Sequence, residues 1–180
     1  MKKRLLIIIL LTFIAVLFLR CKMSQSNPEV LLPLINEIDT KVQFRDSIDS
    51  SISTVDVAWH LDHMLKTINK ITDTLEISNP DDYSKSYFNF SRILSLSSGH
   101  IPRGRAQSPS VVRPPDSILT ESLILQINMA KANVEKLKLF DKKSHFNHPY
   151  FGQLNKAQAI RFMEVHTMHH LKIVSDILEE

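Results

Sequence analysis

The segment "NKAQAIRFMEVHTMHHLKIVSDIL", residues 155–178, decides the fold of this chain. Its apolar side chains recur every three or four residues, which is the spacing of one helix face. Asn155 and Gln158, three residues apart, form a capping-box pattern at its start. The sequence therefore predicts a long amphipathic helix that begins after Asn155 and continues to the C-terminus.

His166 and His170 lie on the apolar side of this helix. At about 100° per residue they fall within roughly 40° of each other and beside Ile173, whereas His169 sits at the edge of the stripe. An unpartnered buried polar group costs about 1–3 kcal/mol, so two inward imidazoles require partners. A histidine pair at i and i+4 can present two ring nitrogens to one metal ion. A hydrogen-bonded pair in the core or at the surface is the alternative.

Helical spacing also dominates the rest of the chain and predicts an all-α protein, a four-helix bundle. Glycine is scarce, at three residues, which disfavours a sheet. The proline-rich stretch "SSGHIPRGRAQSPSVVRPP", residues 97–115, predicts a long loop. The helices predicted upstream are 28–42, with apolar Val30, Leu31, Leu34, Ile35 and Ile38; a second that begins after "SSIST" and ends at Asn79; an irregular one at 84–96; and 116–139, with Ile118, Leu123, Leu125, Ile127 and Val134 on its buried side.

The first 22 residues, "MKKRLLIIILLTFIAVLFLRCK", are typical of a membrane anchor. Between Leu5 and Leu19 the one polar side chain is Thr12. As a helix this run spans about 22 Å, so the flanking basic residues must reach the interfaces of a ~30 Å hydrocarbon core. No small-residue cleavage site follows, which favours an uncleaved signal anchor or transmembrane helix. Three basic side chains and the amino terminus precede the run and two basic side chains follow it, which predicts that the body lies outside the cytoplasm. A cleaved secretory signal is the alternative.

The domain organisation predicted from this is an anchor at 1–22, a tether at 23–27 and one bundle domain at 28–180. The net charge of +3 belongs to the anchor. Five of the 22 basic residues lie in it, which leaves 17 basic against 19 acidic residues in the body, so no nucleic-acid partner is predicted. Cys21 is the single cysteine, so no intrachain disulfide can form.

A second histidine pair lies in "WHLDHML", residues 59–65, on the second predicted helix. The apolar stripe of that helix runs from Val57 to Leu75. His60 lies roughly 70° from the centre of the stripe and His63 roughly 130°. Periodicity alone therefore favours His60 as the inward residue.

The order "VAWHLDHM" on an early helix and "VHTMHH" on the last helix resembles the DinB-like superfamily of metal-binding four-helix bundles. A membrane-tethered bacterial branch of it is similar through "STVDVAWHLDH", "IPRGRAQSPSVVRPP", "SHFNHPYFGQLNKAQ" and "RFMEVHTMHHLKIV", and the resemblance covers about residues 28–180. It implies a first metal ligand in a V-x-x-x-L-x-H pattern, here Val57, Leu61 and His63. It implies two more at H-x-x-x-H, here His166 and His170. The resemblance thus selects His63 over His60.

Three neutral imidazoles leave at least one coordination position open, and their nitrogen ligands suit a divalent ion such as zinc or nickel. No catalytic residue is assigned. His60 and His169 orient the site, bind substrate or are helix-surface residues. Asp62 and Glu164 either support the ligands or are solvated. Three further groups of residues are candidates. His148 lies in a segment that resembles a family segment packed over the bundle mouth. The predicted core or pocket wall contains Trp59, Tyr150 and Phe151, and the loop arginines that either bind an anionic ligand or are solvated are Arg103, Arg105 and Arg113.

Two hypotheses for the function follow. The resemblance implies a metal-dependent enzyme, either a hydrolase or a transferase of a low-molecular-weight thiol, acting on a small molecule that the sequence does not define. No G-x-S-x-G or Cys-His nucleophile pattern competes with the metal. The alternative is a non-catalytic, membrane-tethered metal-binding or structural helical bundle. A homodimer is compatible with either.

Overall fold

The computed structural model describes residues 23–84, 88–104 and 107–180. This part of the chain is mostly helical, as predicted, and it contains a small two-stranded sheet that the sequence analysis does not predict. Short 3-10 turns lie at Pro28–Val30, Val42–Phe44, Pro80–Asp82 and Ser110–Val112. The helices and strands are α1 (Leu31–Lys41), α2 (Val57–Ile77), α3 (Phe90–Ser98), α4 (Thr120–Leu139), β1 (His145–His148), β2 (Gly152–Asn155) and α5 (Lys156–Ile177).

Side-chain caps fix where α2 and α5 begin. The Asp56 carboxylate accepts a hydrogen bond from the Trp59 backbone N–H at 2.8 Å, which starts α2 at Val57, three residues before His60. At α5, Asn155 Oδ1 accepts from Gln158 N and Gln158 Oε1 accepts from Asn155 N. The predicted capping box is therefore confirmed, and it sets the register of the helix that carries His166 and His170.

Helices α1, α2, α4 and α5 pack around one core. α2 contacts both α4 and α5, and α1 packs against the same two helices. Each fully buried Leu or Ile contributes about 1.5–3 kcal/mol, so this core holds α2 and α5 rigidly side by side. The largest fully buried side chains are Leu31, Ile35 and Ile38 of α1, Leu61, Met64, Leu65, Ile68 and Leu75 of α2, Leu96 of α3, and Leu123, Ile127 and Leu137 of α4.

The predicted burial of Leu125 is wrong, because this side chain is 61% exposed. Leu123 and Ile127 face the core as predicted, and at about 100° per residue Leu125 points roughly 160° away from each of them. The α4 helix also begins at Thr120, later than the predicted residue 116.

The irregular third helix is shorter than predicted and shifted towards the C-terminus. Asn89 caps α3 by accepting from the Arg92 backbone N–H, so the helix begins at Phe90 rather than at residue 84. It ends at Gly99, whose φ of 72° is the left-handed conformation that favours glycine.

The hairpin of β1 and β2 leads directly into α5. It is antiparallel, with His145 opposite Asn155 and His148 opposite Gly152. The backbone N–H of His145 donates to Ser78 Oγ at 3.0 Å, which ties the hairpin to the end of α2. Both strands also pack on α5. His148, which precedes Pro149, ends β1.

The predicted long loop between α3 and α4 holds the 3-10 turn Ser110–Val112, which packs on α2.

No helix within the described ranges combines the length and the hydropathy needed to cross a bilayer. The anchor predicted at residues 1–22 lies outside those ranges.

Candidate metal centre

Three histidines from two helices meet between α2 and α5. His63 of α2 and His166 and His170 of α5 each offer one ring nitrogen, and these atoms all lie within 4.8 Å of one another. The ring centroids are 4.9 Å apart for His63 and His166, 4.8 Å for His63 and His170, and 4.6 Å for His166 and His170. The structure thus brings together the three residues that the resemblance selects. We call them the histidine cluster.

The donor set of the cluster fits a divalent metal ion. The Nε2 atoms of His63 and His166 are 3.2 Å apart. Two nitrogens at 2.0–2.1 Å from a tetrahedral ion lie roughly 3.3 Å from each other, so this pair needs little adjustment to share one ion. The set contains three imidazoles and no carboxylate or thiolate, a combination suited to zinc, nickel and related ions rather than to calcium or magnesium.

A hydrogen bond to the main chain sets the tautomer of His63. Its Nδ1 lies 2.8 Å from the carbonyl oxygen of Val112. Because a carbonyl only accepts, Nδ1 carries the proton and Nε2 presents a lone pair to the cluster. Metal-binding histidines almost always make such a bond from the ring nitrogen that does not face the metal.

Burial keeps the imidazoles of the cluster neutral. It lowers the pKa of His166 and of His170 well below the ordinary value of 6.5, and the neighbouring histidines lower both further. Burial also lowers the pKa of His63, against the opposing effects of the Val112 hydrogen bond and of Asp62. Near neutral pH each ring therefore has a lone pair available for coordination.

His60 lies behind the cluster rather than in it. Its Nδ1 is 3.0 Å from Nδ1 of His170, and its Nε2 is 3.0 Å from Oγ of Ser53. Burial lowers the pKa of His60 to about 4, so the two imidazoles share a hydrogen bond between neutral rings. His60 therefore orients His170. It is buried, as periodicity predicts, but it does not belong to the cluster.

The other histidine on α5, His169, has a different environment. Its ring centroid lies 5.0 Å from that of His170, and the side chain is partly buried. It hydrogen-bonds to the backbone of Ile101 in the long loop, and burial lowers its pKa. His169 is therefore held by the loop and does not belong to the histidine cluster.

Neither acidic neighbour contacts the cluster. Asp62 is buried rather than solvated, and it accepts from Gln126 Nε2 at 2.6 Å and pairs with Lys66 at 2.7 Å. Glu164 pairs with Arg161 at 2.9 Å. Asp62 joins α2 to α4 through Gln126, Glu164 pairs within α5, and neither carboxylate hydrogen-bonds to a ring of the cluster.

The histidine cluster opens into a cleft of about 1300 Å³ between α2, α3, α5, the hairpin and the long loop. Trp59, Tyr150 and Phe151 line this cleft, as expected for pocket wall, and Trp59 stacks on His63 with ring centroids 5.0 Å apart. Arg103 lies at the cleft and pairs with Asp176. Arg113 donates to the carbonyl of Ser108 instead. Arg105 lies outside the described residues.

Sequence reasoning missed two groups that support the cluster, one that bonds to His63 and one that bonds to His60. The Val112 carbonyl is a backbone group, and no side-chain pattern reports it. Ser53 precedes α2 in a serine-rich turn that has no distinguishing motif.

Comparison of the chain with protein-family models, with curated proteins and with solved structures finds no match. The DinB-like membership therefore stays a prediction from the sequence segments quoted above.

Proposed function

We propose that this protein is a divalent-metal-dependent enzyme of the DinB-like type, either a hydrolase or a low-molecular-weight thiol transferase. His63, His166 and His170 hold the ion, with zinc and nickel as the candidates. The supporting observation is the convergence of three neutral imidazoles at the floor of a large cleft. A structural ion is usually enclosed by four protein ligands, whereas three ligands beside a cleft leave room for a substrate.

The ion would supply Lewis-acid activation of a water molecule or of a thiol. The chain itself orients the ligands. Val112 fixes His63 through Nδ1, and His60 fixes His170 through Nδ1. Trp59, stacked on His63, excludes water from one side of the cluster.

One observation favours the alternative, a non-catalytic metal-binding or structural bundle. Among the described residues that line the cleft, none is Asp or Glu, so no carboxylate is placed there as a general base. An enzyme built on this cleft must therefore use a histidine or the substrate itself for proton transfer.

Metal binding is tested with the full chain, purified through a tag that contains no histidine. Elemental analysis should find a single equivalent of a transition metal. His63→Ala and His170→Ala should each abolish it, whereas His100→Ala, in an exposed side chain, should not. Quenching of Trp59, the single tryptophan, by added nickel provides a second measurement at the cluster. Unchanged metal content in both cluster variants would contradict the site.

Activity separates the two functions. The metal-loaded protein is assayed against esters, amides and thiol-transfer substrates, with His63→Ala as the blank. Turnover that disappears in the blank supports the enzyme. A loaded protein that turns over none of these classes supports the non-catalytic bundle.

The location is part of the proposal. Residues 1–22 are proposed to anchor the domain on the outer side of the membrane, because three basic side chains and the amino terminus precede the apolar run from Leu5 to Leu19 and two basic side chains follow it. Protease added to spheroplasts, from which the cell wall and any outer membrane have been removed, should then digest the domain. A domain that is digested only after lysis would contradict this orientation.

A further inference from the structure

The cleft in front of the histidine cluster has walls that suit an apolar molecule. Its volume of about 1300 Å³ exceeds the roughly 300–1000 Å³ that is usual for ligand pockets. Apolar and aromatic side chains from three separate parts of the fold line it. Four of them, Phe90, Leu94, Val111 and Tyr150, are each at least half exposed to solvent. Large apolar side chains gathered at one opening indicate a surface that is covered when a ligand binds.

The charges at this cleft are of one sign. Among its lining residues in the described part of the chain, the two charged side chains are Lys70 and Arg103. Arg103 is paired with Asp176, at 2.5 Å, whereas no carboxylate in the described ranges lies within ion-pair distance of Lys70. The cleft therefore attracts an anionic group and repels a cationic one.

His148 places a hydrogen-bond donor in the apolar wall. Its Nδ1 accepts from the backbone N–H groups of Tyr150 and Phe151, both at 3.1 Å. Because Nδ1 is an acceptor in both bonds, the proton of the neutral ring is on Nε2. Within the described ranges no acceptor is hydrogen-bonded to that Nε2–H.

The ring of His148 is held firmly and lies near the histidine cluster. It stacks on Phe151 with centroids 4.4 Å apart and meets Phe162 edge-on at 4.5 Å. Phe162 in turn contacts His166, with ring centroids 5.3 Å apart. A fixed donor surrounded by aromatic rings selects a ligand that brings its own acceptor.

We infer that the cleft binds a single-chain anionic amphiphile, whose acidic head accepts a hydrogen bond from His148 Nε2 beside the histidine cluster and whose apolar chain lies along Leu94 and Val111. The inference rests on the proposed function in so far as this amphiphile is the substrate of the metal site. The apolar wall disfavours a sugar or a peptide backbone, and Lys70 disfavours a cationic amphiphile.

The test uses the full chain in lipid nanodiscs and two photo-crosslinking probes. One is dodecanoate with a diazirine at the chain end, and the other is a dodecyltrimethylammonium ion with the same diazirine. After irradiation, labelled peptides are mapped by mass spectrometry. We expect the carboxylate to label the segments 90–98 and 107–112, and to do so at least tenfold more than the cation.

Two variants of matched chemistry locate the binding. Leu94→Glu puts a negative charge into the cleft wall and should reduce labelling by the carboxylate about tenfold or more. Leu125→Glu makes the same change at an exposed leucine of α4, away from the cleft, and should leave labelling unchanged. His148→Asn keeps an acceptor at the Nδ1 position for the Tyr150 and Phe151 N–H groups, but its shorter amide has no donor at the position of Nε2, so it should reduce carboxylate labelling about tenfold and leave cation labelling unaltered.

The outcomes separate this inference from the proposed function. Metal content is measured on the same samples, and labelling is repeated with a chelator present. Selective labelling of the cleft in a protein that binds no metal supports the amphiphile site and contradicts the metal enzyme. Equal labelling by both probes, labelling confined to other segments, or equal loss in Leu94→Glu and Leu125→Glu overturns the amphiphile site, whatever the metal content.

Discussion

His63 donates from Nδ1 to the carbonyl oxygen of Val112, 2.8 Å away, and this bond joins α2 to the long loop that precedes α4. The 3-10 turn Ser110–Val112 presents that carbonyl, so the loop positions a ligand of the histidine cluster. The loop thereby acquires a role in the site that its proline content alone does not indicate. The contact with the loop also explains why His63, which lies far from the apolar stripe of α2, is buried.

The tautomer of His63 provides the first prediction. In the metal-free protein, nitrogen NMR should show His63 protonated at Nδ1 and bare at Nε2, because Val112 accepts from Nδ1. Addition of zinc should shift the Nε2 resonance and leave the Nδ1 proton in place. A ring protonated at Nε2 before zinc is added would contradict the arrangement, since that tautomer has no lone pair for the ion.

The second prediction concerns His60 as a support for His170. Replacing His60 with Phe keeps the aromatic volume but removes the bond between the two Nδ1 atoms. Supporting hydrogen bonds of this kind are worth about 10–100-fold in metal affinity, so His60→Phe should weaken zinc binding by that factor. Competition with a chelating dye measures the dissociation constant.

His169→Phe is the matched control, because His169 also lies beside His170 but hydrogen-bonds to the loop instead. It should leave zinc affinity within a few-fold of the parent. Equal weakening in both variants would show that the effect arises from packing around His170 and not from the His60 bond.

The helices and the cluster could be predicted from different kinds of information. Helical periodicity and the capping box located α5, with His166 and His170 at one-turn spacing on the same side. Periodicity failed for His63, because a hydrophobic count measures the average core face. It contains no information about a polar residue whose partner is a backbone carbonyl on a loop.

The family resemblance selected His63, and the geometry agrees with that selection. The hairpin could not be predicted from its four-residue strands, since alternation over so few residues is weak. Its antiparallel pairing depends instead on packing against α2 and α5. The position of His148 at the end of β1, facing the cleft, follows from that tertiary context and from no local pattern.

The third prediction compares two leucines of α4. Leu123 is fully buried, so Leu123→Ala should lower the free energy of unfolding by about 2–5 kcal/mol. Leu125 is mostly exposed, so Leu125→Ala should change it by no more than about 0.5 kcal/mol. Urea denaturation of both variants measures the difference. Similar losses would mean that α4 packs with the face expected from the sequence rather than with the observed one.

The fourth prediction uses the acid stability of the metal-free protein. Burial lowers the pKa of His148 to about 4, whereas a histidine in the unfolded chain titrates near 6.5. Between these values the unfolded state binds the extra proton, so the stability that His148 contributes is complete above pH 6.5 and is lost as the pH falls towards 4. The slope for one such group is at most about 1.4 kcal/mol per pH unit.

The variant His148→Asn removes this group. Its free energy of unfolding should therefore fall less steeply than that of the parent protein between pH 6.5 and 4.5, and the two curves should run parallel above pH 7. Chemical denaturation at each pH, with chelator present and Trp59 fluorescence as the signal, measures both slopes. Because the other histidines are common to both proteins, their titrations cancel in the difference, and identical slopes would mean that the His148 ring is not buried as a neutral donor.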